Sequence, residues 1–413
     1  MSGDQGLLTT VGTSDYESTT FEFTDGTRVE AHISPIALIH LLDIRSVYIA
    51  HTSAVRTETN YLDEIQAACT EHDINVTCIE IPLAEGQSEV DQILDRVERY
   101  LIQSSVESLV LDMSHAFRSL QFAFYTTATH LDAIETVSLD AIYYARDAGH
   151  GGVAPVVDLT YLATLMEWQH ALRSINNEGT LGPIQEIVAT KKDEIYRAGE
   201  RDATLLKLDK ALSSVAFSLD AGLPLETGIA ARDACEFLSS LDESDFIGPE
   251  GAFIAPLRER LERFAVRQPD VRKKAELQLT IEELHRQRRL VKLYLDTRRE
   301  WIAIECAREL FLSRYIYEQH GGEVAWLNKN VRHGSREALT KTATQYRSRA
   351  NSPPLALSVW ERLSQFRNTY AHAGFQIDST PSRQKLQPTI QMVCDRLPDE
   401  TFWRPLCTAA QDN

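Results

Sequence analysis

Three residues near the C-terminal end of the chain, Arg367, Asn368 and His372, carry side chains suited to chemistry on a phosphodiester. They lie in Phe-Arg-Asn-Thr-Tyr-Ala-His-Ala-Gly (366–374), a stretch that reads as helical. Asn368 and His372 share a helix face, and Arg367 is about 140° from His372 around the axis, so the three can border one cleft. A guanidinium, an amide and an imidazole can together hold a phosphate and transfer a proton. The combination favours RNA cleavage, because RNA supplies its own 2′-hydroxyl nucleophile and needs no metal for the attack.

The spacing alone also fits a solvated helix face, since Arg45/His51 and Arg314/His320 have a similar separation. The surrounding charge favours a functional site. The chain has a formal net charge of −18, yet residues 329–385 contain ten basic and only three acidic residues. An acidic protein thus has one basic segment, and the Arg-Asn-x-x-x-His motif lies within it. The alternative is that this basic face pairs with an acidic neighbouring domain.

Length and composition indicate a globular protein of two or three domains, with 413 residues of which 43% are hydrophobic and 25% charged. The acidic balance argues against general nucleic-acid binding. Six scattered cysteines form neither a zinc motif nor a disulfide framework, so no metal is expected and a cytoplasmic location is predicted. The chain contains no apolar span of about 20 residues and begins with a polar stretch unlike a signal peptide, so no membrane association is expected.

The first 150 residues alternate between apolar strand patterns and helical patterns. Strands are predicted at 7–11, 19–23, 27–31, 46–50, 75–81, 108–111 and 137–144, and helices at 35–42, 61–72, 89–103 and 115–131. This alternation predicts a mostly parallel, doubly wound sheet, whose ligands bind at the carboxyl ends of the strands. From Val156 onward the pattern is helical, with helices predicted at 159–174, 190–219, 256–268, 272–293, 297–319 and 355–373.

Polar groups follow two of the predicted strands. Gly12, Thr13 and Ser14 come directly after the first strand, and Ser114 and His115 follow the strand at 108–111. Arg118 lies one turn into the next helix, which Ser114 could cap, and a helix N-terminus favours an anion. Neither GxGxxG nor the P-loop pattern is present, which argues against an ordinary dinucleotide or ATP site.

These features together resemble the CRISPR-associated CARF–HEPN ancillary ribonucleases, in which a Rossmann-like CARF domain precedes a helical HEPN domain. Residues 7–16 resemble the family's first strand and glycine turn. Leu-Asp-Met-Ser-His-Ala-Phe-Arg-Ser-Leu (111–120) is similar to its Asp-x-Thr-His-Gly-Phe-Arg-Ser-Leu signature, with Ser114 and Ala116 replacing Thr and Gly. Residues 158–172 resemble the helix that leaves the CARF domain, and the Arg-Asn-x-x-x-His motif matches the HEPN pattern.

The resemblance implies a metal-independent endoribonuclease of type III CRISPR defence, switched on by a cyclic oligoadenylate, with cyclic tetra-adenylate expected. It implies a homodimer or a higher homo-oligomer that cleaves single-stranded RNA at a composite site. Arg367 would bind the scissile phosphate, Asn368 would orient it or the imidazole, and His372 would be the general acid or base. The cyclic ligand would be bound by residues carried over by position: Gly12, Thr13, Ser14, Ser114, His115 and Arg118.

The expected domains are a CARF-like domain at 1–152, a helical connector at 153–290 and a HEPN-like domain at 291–413. A second hypothesis stays open from sequence. The chain could be a non-catalytic sensor whose helical part binds a partner protein or nucleic acid. Degradation of the activator by the CARF domain itself is a third possibility.

Overall fold

The computed structural model describes residues 4–115, 118–146, 152–197, 199–241, 251–268, 271–348, 353–371 and 382–411, with only the backbone described at 118, 194, 347, 348 and 407–411. The chain divides into two compact units, Met1–Thr164 and Leu165–Asn413. The first unit is built around a sheet and the second is helical. This confirms the predicted fold class of an α/β domain followed by an all-α region.

The sheet of the first unit contains eight strands in the order β3-β2-β8-β7-β6-β1-β4-β5. Their bounds are β1 Gln5–Thr10, β2 Thr19–Glu22, β3 Arg28–Ala31, β4 Ser46–His51, β5 Asn75–Glu80, β6 Ser108–Asp112, β7 Ser138–Ala145 and β8 Val153–Asp158. Five strand pairs are parallel, while β2/β3 and β7/β8 are antiparallel. The sheet is therefore mostly parallel, as the alternating pattern predicts.

Helices cover both faces of this sheet. They are α1 Ser34–Leu41, α2 Ser53–Glu58, α3 Tyr61–Glu71, α4 Gln87–Ile102 and α5 Arg118–Ala133. Alternate residues of each strand point to opposite faces. Leu7 packs in one core with α1 and α3, whereas Leu8 packs in another with α4 and α5. This two-sided burial explains why the central strands read as continuous apolar runs.

The strand β8 contradicts the prediction of helices from Val156 onward. It pairs with β7 in the antiparallel direction and with β2 in the parallel direction. Ala154 and Val156 are buried on one face while their neighbours are not, which is the two-residue period of a strand. A six-residue strand next to a helix is too short for periodicity to distinguish the two.

The second unit is helical throughout its described regular elements. Its helices are α6 Tyr161–Asn177 (which begins in the first unit), α7 Gly182–Arg197, α8 Ala203–Asp220, α9 Pro224–Ser239, α10 Gly251–Glu262, α11 Ile281–Asp296, α12 Glu300–His320, α13 Lys329–Ser348, α14 Leu355–Ala371, α15 Arg383–Arg396 and α16 Glu400–Gln411. One buried apolar cluster runs from Trp168 to Leu406. Among the described residues, no helix is long and apolar enough to cross a membrane.

Two long predicted helices are interrupted by turns. The prediction at 190–219 is wrong because Gly199 adopts a φ of 82° and Asp202 caps α8 by accepting from the backbone N–H groups of Thr204 and Leu205. The prediction at 272–293 is wrong because a short 3-10 turn at Lys274–Glu276 precedes α11, whose N-cap is Thr280. Capping side chains inside an amphipathic pattern mark these breaks.

A buried ion pair braces the centre of the second unit. Arg286 and Glu283 are each about 2% exposed, and the Arg286 Nη2 lies 2.5 Å from Glu283 Oε1. The guanidinium also donates to the carbonyls of Pro224 and Phe264. A Cβ added at Gly228 would lie 2.6 Å from the Arg286 Cζ, so glycine leaves the space that the guanidinium fills.

Candidate functional site

A cleft of about 740 Å³ opens in the first unit at the carboxyl ends of the strands. Segments that follow β1, β4, β6 and β7 contribute to its lining. Five residues singled out from the sequence line it: Gly12, Thr13, Ser14, Ser114 and His115. Two segments a hundred residues apart in the chain therefore meet in one cleft, because β1 and β6 are parallel neighbours. Their ligand-binding role stays a prediction.

A buried carboxylate, Asp112, fixes the walls of this cleft. Its Oδ2 accepts hydrogen bonds from the hydroxyls of Thr9 and Ser34, both at 2.8 Å. Its Oδ1 accepts from the backbone N–H of Ser114 at 3.0 Å and from the Ser114 hydroxyl at 2.5 Å. That hydroxyl in turn accepts from the backbone N–H of Ala145 at 2.8 Å. One side chain thus ties the ends of β1, β6 and β7 to the start of α1.

The predicted capping of α5 by the Ser114 hydroxyl would use the backbone of residues 116 and 117, which lie outside the described residues, so it stays a prediction. In the described residues, the Ser114 hydroxyl donates to Asp112 and accepts from the β7 backbone, and α5 is described from Arg118 onward. The side chain of Arg118 lies outside the described residues, so its predicted contact with the ligand stays a prediction.

The imidazole of His115 forms part of an aromatic wall. Its Nε2 accepts a hydrogen bond from the backbone N–H of Ser34 at 3.1 Å, and its ring meets the Tyr16 ring edge-on at 4.5 Å between centroids. Tyr61 fixes the segment that follows Gly12, because its hydroxyl donates to the Ser14 carbonyl and accepts from the backbone N–H of Tyr16. Burial raises the pKa of the Tyr16 phenol, against hydrogen bonds to Gly12 and Ser14 that lower it.

Negative charge dominates the unit that contains the cleft. Residues 1–164 contain seven arginines, no lysine and 25 acidic residues, a net charge of −18 that equals the net charge of the whole chain. An anion bound here must therefore be held by local groups: backbone amides, hydroxyls and a few arginines. Arg146, exposed at the end of β7, lines the cleft as one such group.

Sequence reasoning gave no role to Tyr16 and Arg146, which line the cleft, or to Asp112 and Ser34, which are hydrogen-bonded behind its lining. Arg146 could have been found, because it comes two residues after the predicted strand at 137–144, in a position like that of the segment 112–118 after its strand. Tyr16 ends the segment 7–16 singled out from the sequence, whereas Ser34 carries no such signal, and only the tertiary structure brings both to His115. In the described residues, no group of three or more His, Cys, Asp or Glu side chains is arranged to hold a metal ion.

The second predicted site lies in the last turn of α14. Arg367 is half-buried and Asn368 is exposed there, whereas His372 lies outside the described residues. The Arg367 Nε donates to Glu305 Oε1 of α12 at 3.1 Å, with the Arg367 side chain 42% exposed. The Tyr370 ring packs at a tilt against Trp301, with 5.8 Å between the ring centroids. Two of the three motif residues are thus placed together, one of them in an ion pair.

Further cations lie around this ion pair. Glu309, one turn after Glu305 on α12, pairs with Arg308 at 2.9 Å and with Arg332 at 2.5 Å, and lies 3.7 Å from Arg336. Burial alone would raise the pKa of Glu309, but these guanidinium groups outweigh it, so the pKa is lowered. The basic segment found in the sequence is therefore partly neutralised by glutamates of α12, while cations still outnumber acids there.

Comparisons with known proteins find similarities to a curated protein and to solved structures. No protein-family model matches the chain. CRISPR-associated protein MJ1674 of Methanocaldococcus jannaschii is 29% identical over 94 residues, which cover 22% of this chain and only 14% of that protein's length. The structure of Enterococcus italicus Csm6 bound to cyclic hexa-2′-fluoro-hexa-dAMP aligns over 100% of this chain and 99% of its own, at 9% identity and a TM-score of 0.41. The name of the curated relative agrees with the CRISPR-associated resemblance predicted from the motifs.

Proposed function

We propose that this chain is a CARF–HEPN protein of type III CRISPR defence: a metal-independent endoribonuclease that a cyclic oligoadenylate activates. One observation supports this most. The glycine turn at 12–14 and the Ser114-His115 segment, which the family motifs single out separately, line the same strand-end cleft. The 94-residue similarity to a CRISPR-associated protein supports it independently.

The cleft offers the groups that a cyclic oligoadenylate requires. Backbone amides and hydroxyls around Gly12 and Ser14 can bind phosphates, and Arg146 can add one charge-assisted contact. The aromatic wall of Tyr16 and His115 can stack on a base. We propose cyclic tetra-adenylate as the activator. Two cleft-bearing units, one from each copy of a homodimer, would share one ring across a two-fold axis.

Cleavage would occur at the Arg-Asn-x-x-x-His motif. Arg367 would bind the scissile phosphate of single-stranded RNA, and Asn368 would orient the phosphate or His372. The imidazole would transfer a proton as the 2′-hydroxyl attacks, leaving a 2′,3′-cyclic phosphate. Before Arg367 can bind a phosphate with its full charge, its pair with Glu305 has to open. Two copies of the motif would form one composite site, and the ligand would favour the paired arrangement by a population shift.

The test is RNA cleavage in EDTA with cyclic tri-, tetra- and hexa-adenylate. We expect cleavage with one ring size and its loss in His372→Ala and Arg367→Ala. Asn330→Ala serves as a matched control, because Asn330 is an exposed residue of α13 outside the motif. Absence of cleavage with every ring size, in a protein that binds one of them, would refute the ribonuclease.

The alternative is a non-catalytic sensor whose helical unit binds a partner. The ion pair between Arg367 and Glu305 favours it, because a guanidinium already paired with a carboxylate is less available to an RNA phosphate. Thermal shift with each cyclic ligand, alongside the cleavage assay, separates the two hypotheses. A sensor would be stabilised by a ring but would leave RNA intact.

A further inference from the structure

A second cavity, of about 730 Å³, lies in the helical unit, and its lining residues are distant in sequence from the Arg-Asn-x-x-x-His motif. The faces of α8 and α9 and the segment 272–274 line it. Its surface is mostly apolar, and Phe217 at its edge is 71% exposed to solvent. Leu223, Ile229 and Phe237 continue the apolar surface. We refer to this cavity as the α8–α9 groove.

The lining of the α8–α9 groove is richer in lysine than the chain as a whole. Four of the ten lysines of the protein line it, together with one arginine: Lys207, Lys210, Lys273, Lys274 and Arg272. Two acids, Glu226 and Asp233, also line it, and Glu226 pairs with Lys274 at 2.6 Å. Lys207 and Lys210 form no ion pair with the described part of the chain. The groove therefore carries a net positive charge on a protein whose overall charge is −18.

The cations and the exposed aromatic ring form one stripe. Lys207, Lys210, Ser214 and Phe217 are spaced three, four and three residues apart on α8, which puts them on one helix face. Phe217 lies about 10 Å along the axis from Lys210, given a rise of about 1.5 Å per residue. A basic track next to an exposed aromatic ring is the arrangement by which proteins bind single-stranded nucleic acid, with phosphates on the cations and bases stacked on the ring.

We propose that the α8–α9 groove is a binding site for single-stranded RNA, separate from the cleavage motif. The proposal rests on the proposed function in naming RNA as the substrate. The lysines hold the phosphates, Phe217 and Phe237 receive bases, and the groove captures the strand before it reaches the Arg-Asn-x-x-x-His motif. Because the sheet-containing unit has a net charge of −18 and repels a polyanion, a local basic surface on the helical unit is where such a strand can bind.

The test measures binding without cleavage. A fluorescein-labelled 2′-O-methyl uridine 15-mer lacks the nucleophile, so anisotropy titration in EDTA reports affinity alone. We expect Lys207→Ala/Lys210→Ala to weaken binding about 5- to 10-fold at 0.1 M salt and to reduce the slope of log Kd against log salt by about 1.4. Phe217→Ala should weaken binding at least about fivefold and leave the slope unchanged.

Matched controls lie in the same unit. Tyr196→Ala removes another exposed ring, 66% exposed on α7, and Arg258→Ala/Arg263→Ala removes two cations that do not line the groove, one in α10 and one directly after it. Both should bind RNA like the wild type. We expect the fold of every variant to stay intact, because all the substituted side chains except the partly covered Arg258 are exposed, and urea unfolding checks this.

Two outcomes overturn the proposal: a wild type that does not bind the 15-mer, or groove variants that bind it as the wild type does. If the groove variants change the oligomeric mass in light scattering but not the RNA affinity, the groove is a protein interface and the proposal is wrong. If the groove variants bind RNA more weakly but natural RNA is never cleaved, the groove proposal stands and the proposed ribonuclease activity is refuted. If RNA is cleaved but the groove variants bind it like the wild type, the ribonuclease stands and the groove proposal is refuted.

Discussion

Replacing Asp112 with asparagine tests whether this buried carboxylate positions the strand-end cleft. The carboxylate accepts four hydrogen bonds, two on each oxygen. Asparagine keeps one oxygen and places an NH₂ group against two donors. Each lost bond to a charged acceptor costs about 1.5–3 kcal/mol, and the hydroxyls of Thr9 and Ser34 recover part of it by rotating to accept from the amide. We expect a net loss of about 2–4 kcal/mol in the free energy of unfolding.

The effect on ligand binding has a sign that separates two explanations. If Asp112 merely adds negative charge near an anionic ligand, Asp112→Asn should tighten binding, because it removes a repulsion. If Asp112 positions Ser114 and the end of β7, the loosened segment should bind the cyclic oligoadenylate at least about tenfold more weakly. We expect weaker binding.

The assay is calorimetric titration with the activating ring, together with urea unfolding of each protein. Asp15→Asn is the matched control, because Asp15 lines the same cleft, is exposed, and carries the same charge without holding the network. It should bind as tightly as the wild type or slightly more so. The positioning role is refuted if Asp112→Asn unfolds at the wild-type urea concentration and binds the ring as tightly as, or more tightly than, the wild type.

Three further predictions concern the helical unit and the thiols. Glu305→Gln should free Arg367 and raise affinity for non-cleavable RNA about 2- to 5-fold while changing stability by less than about 1 kcal/mol, measured by anisotropy and urea unfolding; unchanged affinity would contradict it. Arg286→Met should cost about 3–5 kcal/mol in urea unfolding, because Glu283 is left buried and unpaired, and Glu283→Gln/Arg286→Met should recover part of that loss. Burial raises the pKa of four thiols in the folded protein to about 11 or 12, whereas thiols of the unfolded chain ionise at about pH 8.5. The free energy of unfolding should therefore fall as the pH rises from about 9 to 12, because only the unfolded thiols lose their protons there. The urea midpoint should therefore fall over that range, and iodoacetamide at pH 8 should label the half-buried Cys78 before the four buried thiols; equal labelling would refute this. Those four are Cys69, Cys235, Cys306 and Cys394.

Local pattern was enough to predict most of the sheet-containing unit. The strands at β1, β4, β5 and β6 are apolar runs bounded by turns, and their residues are buried because helices cover both faces. The antiparallel β8 was not predictable in the same way. It forms because β7 and β2 offer it backbone partners, and such pairing leaves only a weak local signal.

The helical unit shows where periodicity fails. Amphipathic patterns continue across 190–219 and 272–293, although the backbone leaves the helix in both. The breaks depend on the helix caps Asp202 and Thr280 and on the left-handed backbone of Gly199. The spacing of apolar residues contains no information about either feature. The α8–α9 groove was likewise missed, since its lysines come from two segments more than 60 residues apart.

Alternation and short motifs are local properties of a chain. The residue types at the strand ends and in the Arg-Asn-x-x-x-His motif can therefore be read from the sequence, and they mark Gly12, Ser114 and Arg367 as candidates. The surroundings of these residues depend on tertiary contacts. Parallel pairing of β1 with β6 brings the two loops into one cleft, a buried Asp112 fixes them there, and the packing of α12 on α14 pairs Arg367 with Glu305. Each of these depends on contacts between residues distant in the chain, and such contacts leave no local pattern to read.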